Sequence, residues 1–195
     1  MTSHIAITYD YLCPFARNAN EALVEYLDQG ADIEVRFVPF SLTENSLGED
    51  ERSVWDDPTG VERRGVRALL WSLAVRSMYP DAFAGFHVLL FNARHDDGAD
   101  IDDPSVLAEV ARRAGIDPAA VADEVATGVP MKTLASEHTA LVDEHGVFGV
   151  PTFIAGEEAV FVRLMDRHAT PDIARTIEML SWTSMNEFKR TRIPR

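Results

Sequence analysis

One cysteine, Cys13, stands in the stretch YDYLCPFARNANEAL, where residues that pattern as a strand give way to residues that pattern as a helix. A thiol at such a junction can act as a nucleophile. The helix N-terminus aims N–H groups and roughly half a positive charge at the sulfur, which favours thiolate over thiol. Dithiol chemistry at this place uses a second cysteine three residues on, and here that position is Ala16. Inert packing is the competing reading, since most lone cysteines behave as small buried hydrophobes. Pro14 suits the first helical turn, where its missing N–H would have no partner in any case, and it leaves the sulfur unobstructed.

A second stretch, GVPTF, puts Val150, Pro151 and Thr152 at the start of a later strand. Proline cannot donate to a sheet ladder. With a cis bond before Pro151, the Val150 backbone would turn toward the first helix and offer its N–H and C=O to an extended thiol-bearing ligand. With a trans bond, the commoner case, Pro151 is an ordinary edge proline. Cys-Pro at a helix start together with Val-Pro-Thr at a strand start is more specific than either alone. Tyr9, Asp10 and Tyr11, just before the thiol, are candidates to tune the sulfur or orient a substrate. A carboxylate there would raise the thiol pKa, and a solvated or capping role is the alternative for Asp10. Phe15 is a candidate groove lining beside the sulfur, with plain packing as the alternative. Arg17, one turn into the helix, is either an anion contact or, more often for such a residue, a surface charge.

The elements that must position these residues fall into three parts. HIAITYDY alternates apolar and polar residues and predicts a strand over about 3–10. FARNANEALVEYLDQG carries Phe15, Ala19, Ala22, Leu23, Tyr26 and Leu27 at helical spacing and stops at Gly30. ADIEVRFVPF predicts a second strand with Ile33, Val35 and Phe37 on one face. The middle, from about 60 to 145, is helical throughout, beginning with one long segment, GVERRGVRALLWSLAVRSMYP; Gly, Asp-Pro, Pro-Asp and Val-Pro punctuate it. Its aromatic residues Trp55, Trp71, Phe83, Phe86 and Phe91 pattern as core rather than pocket. HDDGADIDD, His95–Asp103, reads as an exposed loop without EF-hand spacing. The last part predicts a strand from about 151, a turn at Gly156–Glu157, a strand through Val160–Val162, and a closing helix with Thr170 as N-cap and Pro171 at N1. A β-α-β unit, a helical block and a β-β-α unit describe an α/β thioredoxin-type fold. Residues 1–45 and 146–195 form its two halves, and 46–145 the all-helical insertion.

Composition excludes several function classes. The chain has 195 residues, is 46% hydrophobic and 26% charged, and carries a net charge of −14. That charge leaves little from which to build the basic face a nucleic-acid binder needs. A basic tail, KRTRIPR, holds Lys189, Arg190, Arg192 and Arg195, and reads as solvated and folded onto the acidic body. No apolar run approaches a membrane span, and MTSHIAITYD lacks the basic and apolar regions of a leader, which predicts a cytoplasmic protein with no membrane partner. One cysteine excludes an internal disulfide framework and a cysteine-based zinc site, and the six histidines show no ligand spacing, so no metal is expected.

Strand-DYLCPFA-helix, a helical insertion and GVFGVPTFI together resemble the DsbA-like branch of the thioredoxin superfamily. Within it the chain is most similar to the intracellular group of kappa glutathione transferases, 2-hydroxychromene-2-carboxylate isomerases and actinobacterial mycothiol-dependent nitroreductases. IEVRFVPFSLTENS and FKRTR resemble the actinobacterial members, and the excess of arginine over lysine agrees. The resemblance implies a cis Pro151 facing a nucleophilic Cys13, no tightly bound cofactor, and a low-molecular-weight thiol, mycothiol or glutathione, as co-substrate. The chain departs from the dithiol members at Ala16, where they carry the resolving cysteine. What then follows is a monothiol, DsbA-like thiol-disulfide oxidoreductase acting on a small-molecule or disulfide substrate, as monomer or homodimer. Two alternatives stay open. One is a small-thiol-dependent isomerase, transferase or nitroreductase in which Cys13 donates a hydrogen bond to the bound thiol. The other is a catalytically inactive binding module.

Overall fold

The computed structural model describes residues 3–48, 50–187 and 190. A four-stranded mixed sheet has the order β2-β1-β3-β4, built from β1 (Ser3–Tyr9), β2 (Ile33–Pro39), β3 (Thr152–Ala155) and β4 (Glu158–Phe161). β1 runs parallel to β2, with Ile5 opposite Val35 and Ile7 opposite Phe37. It runs antiparallel to β3, with Ile7 opposite Phe153. β1 therefore sits inside the sheet, between one neighbour that follows it closely and another far along the chain. Ile7, Tyr9, Leu23 and Phe153 are fully buried around it, each such side chain contributing roughly 1.5–3 kcal/mol.

α1 (Pro14–Asp28) packs against β1 through Ala16, Ala19, Ala22 and Leu23, and α8 (Thr170–Leu180) packs beside it on β3 and β4. The small alanine face lets α1 lie close to the sheet. Gly30, at φ +88°, follows the end of α1. A four-residue helix, α2 (Leu42–Asn45), starts at the Ser41 cap directly after β2; nothing in the sequence pattern marks it. The helical block follows as α3 (Val66–Met78), α4 (Pro80–His95), α5 (Pro104–Arg113), α6 (Pro118–Ala126) and α7 (Val129–His145). Proline occupies the first turn of α4, α5, α6 and α7, and the aspartates Asp103 and Asp117 cap α5 and α6.

The block is joined to the sheet by buried polar contacts as well as by packing. Tyr9 at the end of β1 hydrogen-bonds Ser72 of α3 through its hydroxyl at 2.8 Å. Arg76 of α3 donates to the Phe37 carbonyl at 2.6 Å and to Glu137 of α7 at 2.7 Å. Trp71, Phe83, Phe86 and Phe91 lie in the core, whereas Trp55 is half-buried against the His138 ring.

Several expectations need correction. The segment beginning at Gly60 is not one helix. A 3-10 turn covers Gly60–Glu62, and α3 starts only after Gly65, whose φ of +76° breaks the run. A Cβ on Gly65 would come within 2.8 Å of the Leu12 side chain, so the break also makes room for the residue next to the thiol. Thr170 is inside α8 rather than its cap, which is Ala169. His95–Asp103 is not a merely exposed loop. His95 ends α4 and donates from Nε2 to the Tyr11 carbonyl, Ile101 is buried, and the Asp102 carboxylate accepts the Gly65 N–H with both oxygens at 2.9 Å. Its acidic residues bind backbone and arginine instead of water alone. The basic tail, apart from Arg190, lies outside the described residues. No helix among the described residues is long and apolar enough to cross a membrane.

Candidate functional site

After β1 the chain turns at Asp10–Cys13, closed by the Cys13 N–H donating to the Asp10 carbonyl at 3.1 Å. Cys13 has extended geometry (φ −96°, ψ 118°) and is the N-cap of α1, with Pro14 as the first helical residue. Its sulfur accepts the Ala16 N–H at 3.4 Å, as an N-cap side chain does. On the other side, Sγ lies 3.5 Å from the Val150 carbonyl oxygen, to which the thiol donates. The Val150–Pro151 peptide bond is cis. The two stretches singled out from sequence thus meet in space, and the half-buried sulfur lies between them.

The Val150 turn is pinned from behind. Thr152 donates its N–H to the Thr8 hydroxyl and its own hydroxyl to the Gly149 carbonyl, both at 2.8 Å, and the Pro151 carbonyl accepts the Val162 N–H at 3.2 Å. With every polar group of its side chain and N–H engaged and only 3% of its surface exposed, Thr152 shapes the turn and does not face a ligand. That corrects its place among the contact residues.

Asp10 and Tyr11 need the same correction. Both Asp10 oxygens accept backbone N–H groups at 2.8 Å, from Leu12 and from Leu42 at the start of α2. The carboxyl is sealed from solvent, and burial pushes its pKa up to about 6 against the two hydrogen bonds. Asp10 ties the thiol-bearing turn to the end of β2. Tyr11 is fully buried, with its hydroxyl 2.7 Å from His87 Nδ1 and its ring against Phe91. Arg17 is neither free for a ligand anion nor a surface charge. It is 7% exposed and pairs with Glu21 at 3.0 Å and Asp96 at 2.5 Å.

The sulfur's ionisation also differs from the expectation of a thiolate favoured by the helix. Burial pushes the Cys13 pKa up, and the Asp10 charge adds to the rise. The Ala16 and Phe15 N–H groups and the Arg163 charge pull it down but do not win. The physical reason is the site's depth: dehydration of the half-buried sulfur penalises the thiolate more than the helix N–H groups favour it.

Sequence reasoning missed Arg163. Its guanidinium lies 5.3 Å from the centre of the half-buried Phe15 ring. It sits just past β4, and nothing in its spacing from Cys13 signals the meeting, which depends on β3 pairing with β1. Phe148 was missed too. Its ring is 66% exposed and packs on Phe161, at a centroid distance of 5.1 Å, just before the Val150 turn. Pro14 is exposed at the mouth of the site. Among the described residues no group of three or more His, Cys, Asp or Glu side chains is placed to hold a metal ion.

The family model of the DSBA-like thioredoxin domain matches residues 4–171. The uncharacterized protein YwbO of Bacillus subtilis is 26% identical, over 82% of this chain and 90% of its own length. Among solved structures, 2-hydroxychromene-2-carboxylate isomerase superposes with a TM-score of 0.64 at 19% identity, covering 93% of this chain and 94% of its own. The cytosolic disulfide reductase DsbM from Pseudomonas aeruginosa, solved with GSH, gives 0.64 at 17% identity, with 90% and 98% covered. At these identities the structural likeness speaks to fold.

Proposed function

The chain belongs to the DSBA-like thioredoxin domain family, and on that premise we propose that it performs thiol-disulfide exchange through Cys13 alone, with a low-molecular-weight thiol as co-substrate. The observation that carries this reading is the position of the sulfur. It is half-exposed, held by the Ala16 N–H, and set 3.5 Å from the Val150 carbonyl at the edge where an extended ligand can lie.

In the first step Cys13 releases its proton to solvent, and the resulting thiolate attacks one sulfur of a disulfide. The disulfide bond breaks, and the departing sulfur takes the electron pair and then a proton. Cys13 is left in a mixed disulfide. In a dithiol enzyme an internal cysteine would resolve it, but the chain has one cysteine and Ala16 stands at the resolving position. A second small thiol, as thiolate, therefore attacks from solvent, forms a new disulfide with the bound half and returns the Cys13 thiolate. A cytoplasmic setting, where small thiols such as mycothiol or glutathione are kept reduced, suits this cycle.

A second reading has its own support. The thiol donates to the Val150 carbonyl, and burial favours its protonated form. A neutral Cys13 can donate instead to the thiolate of a bound small-thiol cofactor that acts on an electrophilic or isomerisable substrate.

Intact mass after exposure to an oxidised small thiol tests the first reading. One adduct on Cys13, reversed by free thiol and absent in Cys13→Ser, is the expected result. No adduct at a pH where iodoacetamide still labels Cys13 would overturn it, and turnover of an electrophile that survives Cys13→Ser would favour the second.

A further inference from the structure

Arg163 differs from Arg17 and Arg167, the two arginines paired across α1. Arg17 and Arg167 are both spent on carboxylates, Arg17 on Glu21 and Asp96, Arg167 on Glu21 at 2.9 Å and Asp96 at 3.4 Å. Among the described residues Arg163 has no carboxylate partner; its guanidinium rests on the face of Phe15 instead, and the side chain is exposed. A guanidinium laid on an aromatic ring keeps its N–H fork free for an incoming acceptor.

The segment that presents it is fastened to α1. Asn18 donates from Nδ2 to the carbonyls of Leu164 at 3.0 Å and Met165 at 3.2 Å, Leu164 is buried, and Arg167 grips Glu21 with two parallel hydrogen bonds. These three anchors follow Arg163 directly in the chain. They hold the chain just after it against Asn18 and Glu21 of α1, while its head group lies over Phe15 in the first turn, close enough to Cys13 for its charge to oppose the rise in the thiol's pKa.

We propose that Arg163 is a specificity-determining residue that docks a carboxylate of the small thiol or disulfide reacting at Cys13. The site therefore selects carboxylate-bearing thiols, the chemistry of glutathione, over uncharged polyol thiols, the chemistry of mycothiol. This rests on the exchange reading above. The protein's charge of −14 repels anions at long range, so a local, unpaired cation at the sulfur is what lets an anionic partner approach.

The test uses three matched disulfides of like size: 3,3′-dithiodipropionate (anionic), bis(2-hydroxyethyl) disulfide (neutral) and cystamine (cationic). The rate of mixed-disulfide formation on Cys13 is read by intact mass. In each reaction the Cys13 thiolate displaces one half of the probe as its thiolate. Any change in thiol pKa alters all three rates together, so the ratio of anionic to neutral rate isolates docking. In the native chain this ratio exceeds that of a free cysteine in the same buffer and falls at high salt. Arg163→Gln lowers it about five-fold, the size of a surface charge contact, Arg163→Lys restores part of it, and the cystamine-to-neutral ratio rises in Arg163→Gln. An unchanged ratio in Arg163→Gln overturns the proposal. Failure of the native chain to react with any of the three, while iodoacetamide labels it, overturns instead the exchange reading on which it rests.

Discussion

The sulfur of Cys13 lies 3.5 Å from the carbonyl oxygen of Val150, a residue 137 positions away in the chain. β1 delivers one and the start of β3 the other, and the antiparallel pairing of Ile7 with Phe153 sets them side by side. That carbonyl accepts a hydrogen bond from the thiol, a contact that only the neutral, protonated sulfur can make.

The first prediction concerns that neutrality. Since burial outweighs the N–H groups of Ala16 and Phe15, Cys13 ionises above the range of an ordinary cysteine, roughly 8.5. The rate of iodoacetamide labelling is therefore small at pH 7 and still climbing past pH 9. Asp10→Asn, which removes a negative charge near the sulfur, moves the midpoint downward. A labelling rate already at its plateau at neutral pH contradicts the account of the buried thiol.

Asp10 gives a stability prediction with an unusual sign. Its folded pKa, about 6, is above the ordinary aspartate value of 3.8. The folded state therefore binds this proton more tightly than the unfolded chain does. The stability the group contributes is fully present below pH 4 and is lost as the pH rises through 6. Two units correspond to roughly 3 kcal/mol. Urea unfolding of native protein and Asp10→Asn, compared at pH 4.5 and pH 7.5, isolates the effect. The native chain's advantage shrinks at the higher pH, and an advantage that grows with pH would show the carboxylate to be charge-stabilised instead.

His87 behaves in the opposite way. It lies among Tyr9, Tyr11, Phe83 and Phe91, fully buried, and burial pushes its pKa down to about 3. The Asn20 amide nitrogen donates to the Ala16 carbonyl at 2.8 Å, so the Asn20 oxygen faces His87 Nε2 at 3.0 Å and that nitrogen carries the proton. Nδ1 then accepts from Tyr11. A folded pKa below the unfolded 6.5 means stability present above pH 6.5 and lost as the pH falls toward 3, by roughly 1.4 kcal/mol per unit. His87→Phe abolishes this acid sensitivity. It also leaves the Tyr11 hydroxyl and the Asn20 oxygen without partners, costing about 2–4 kcal/mol at pH 7 by chemical denaturation. An acid transition that persists unchanged in the variant assigns the effect to other groups.

The local signals of this fold were readable where one residue type determines one structure. Cys13-Pro14 starts α1, alternation of Ile5 and Ile7 marks β1, and proline and aspartate start α5 and α6. The resemblance carried by DYLCPFA and GVFGVPTFI implies the meeting of Cys13 with the Val150-Pro151 turn, which the structure contains. What escaped depends on contacts between distant segments. Asp10 reads as polar and adjacent to the thiol, yet its direction is set by the N–H groups of Leu12 and Leu42, and the second of these comes from across the sheet. Arg17 reads as a surface charge until Arg167 and Asp96 close over it. Arg163 gains its meaning only from the return of the chain past β4. Charge identity is visible in a sequence, whereas the partner that spends the charge is not.

Ala16 supports a prediction that probes the proposed chemistry from the side of what is missing. Its N–H points at Cys13 Sγ at 3.4 Å, and its methyl group is fully buried against the core. Ala16→Cys sets a second thiol one helical turn from the first, within the span a disulfide can bridge with little backbone movement. The added sulfur must fit where a methyl fits now, and overpacking of this kind costs about 1–3 kcal/mol, so the variant melts below the native protein when reduced. Treated with an oxidised small thiol, the native chain gains one adduct, because no internal thiol can displace it. In Ala16→Cys the new thiolate attacks the mixed disulfide, expels the small thiol and leaves an internal disulfide, seen as the loss of two hydrogens by intact mass with no adduct retained. A stable adduct on Ala16→Cys would mean that the buried position cannot reach the sulfur, and the substitution at residue 16 would then not be what separates this chain from a dithiol enzyme.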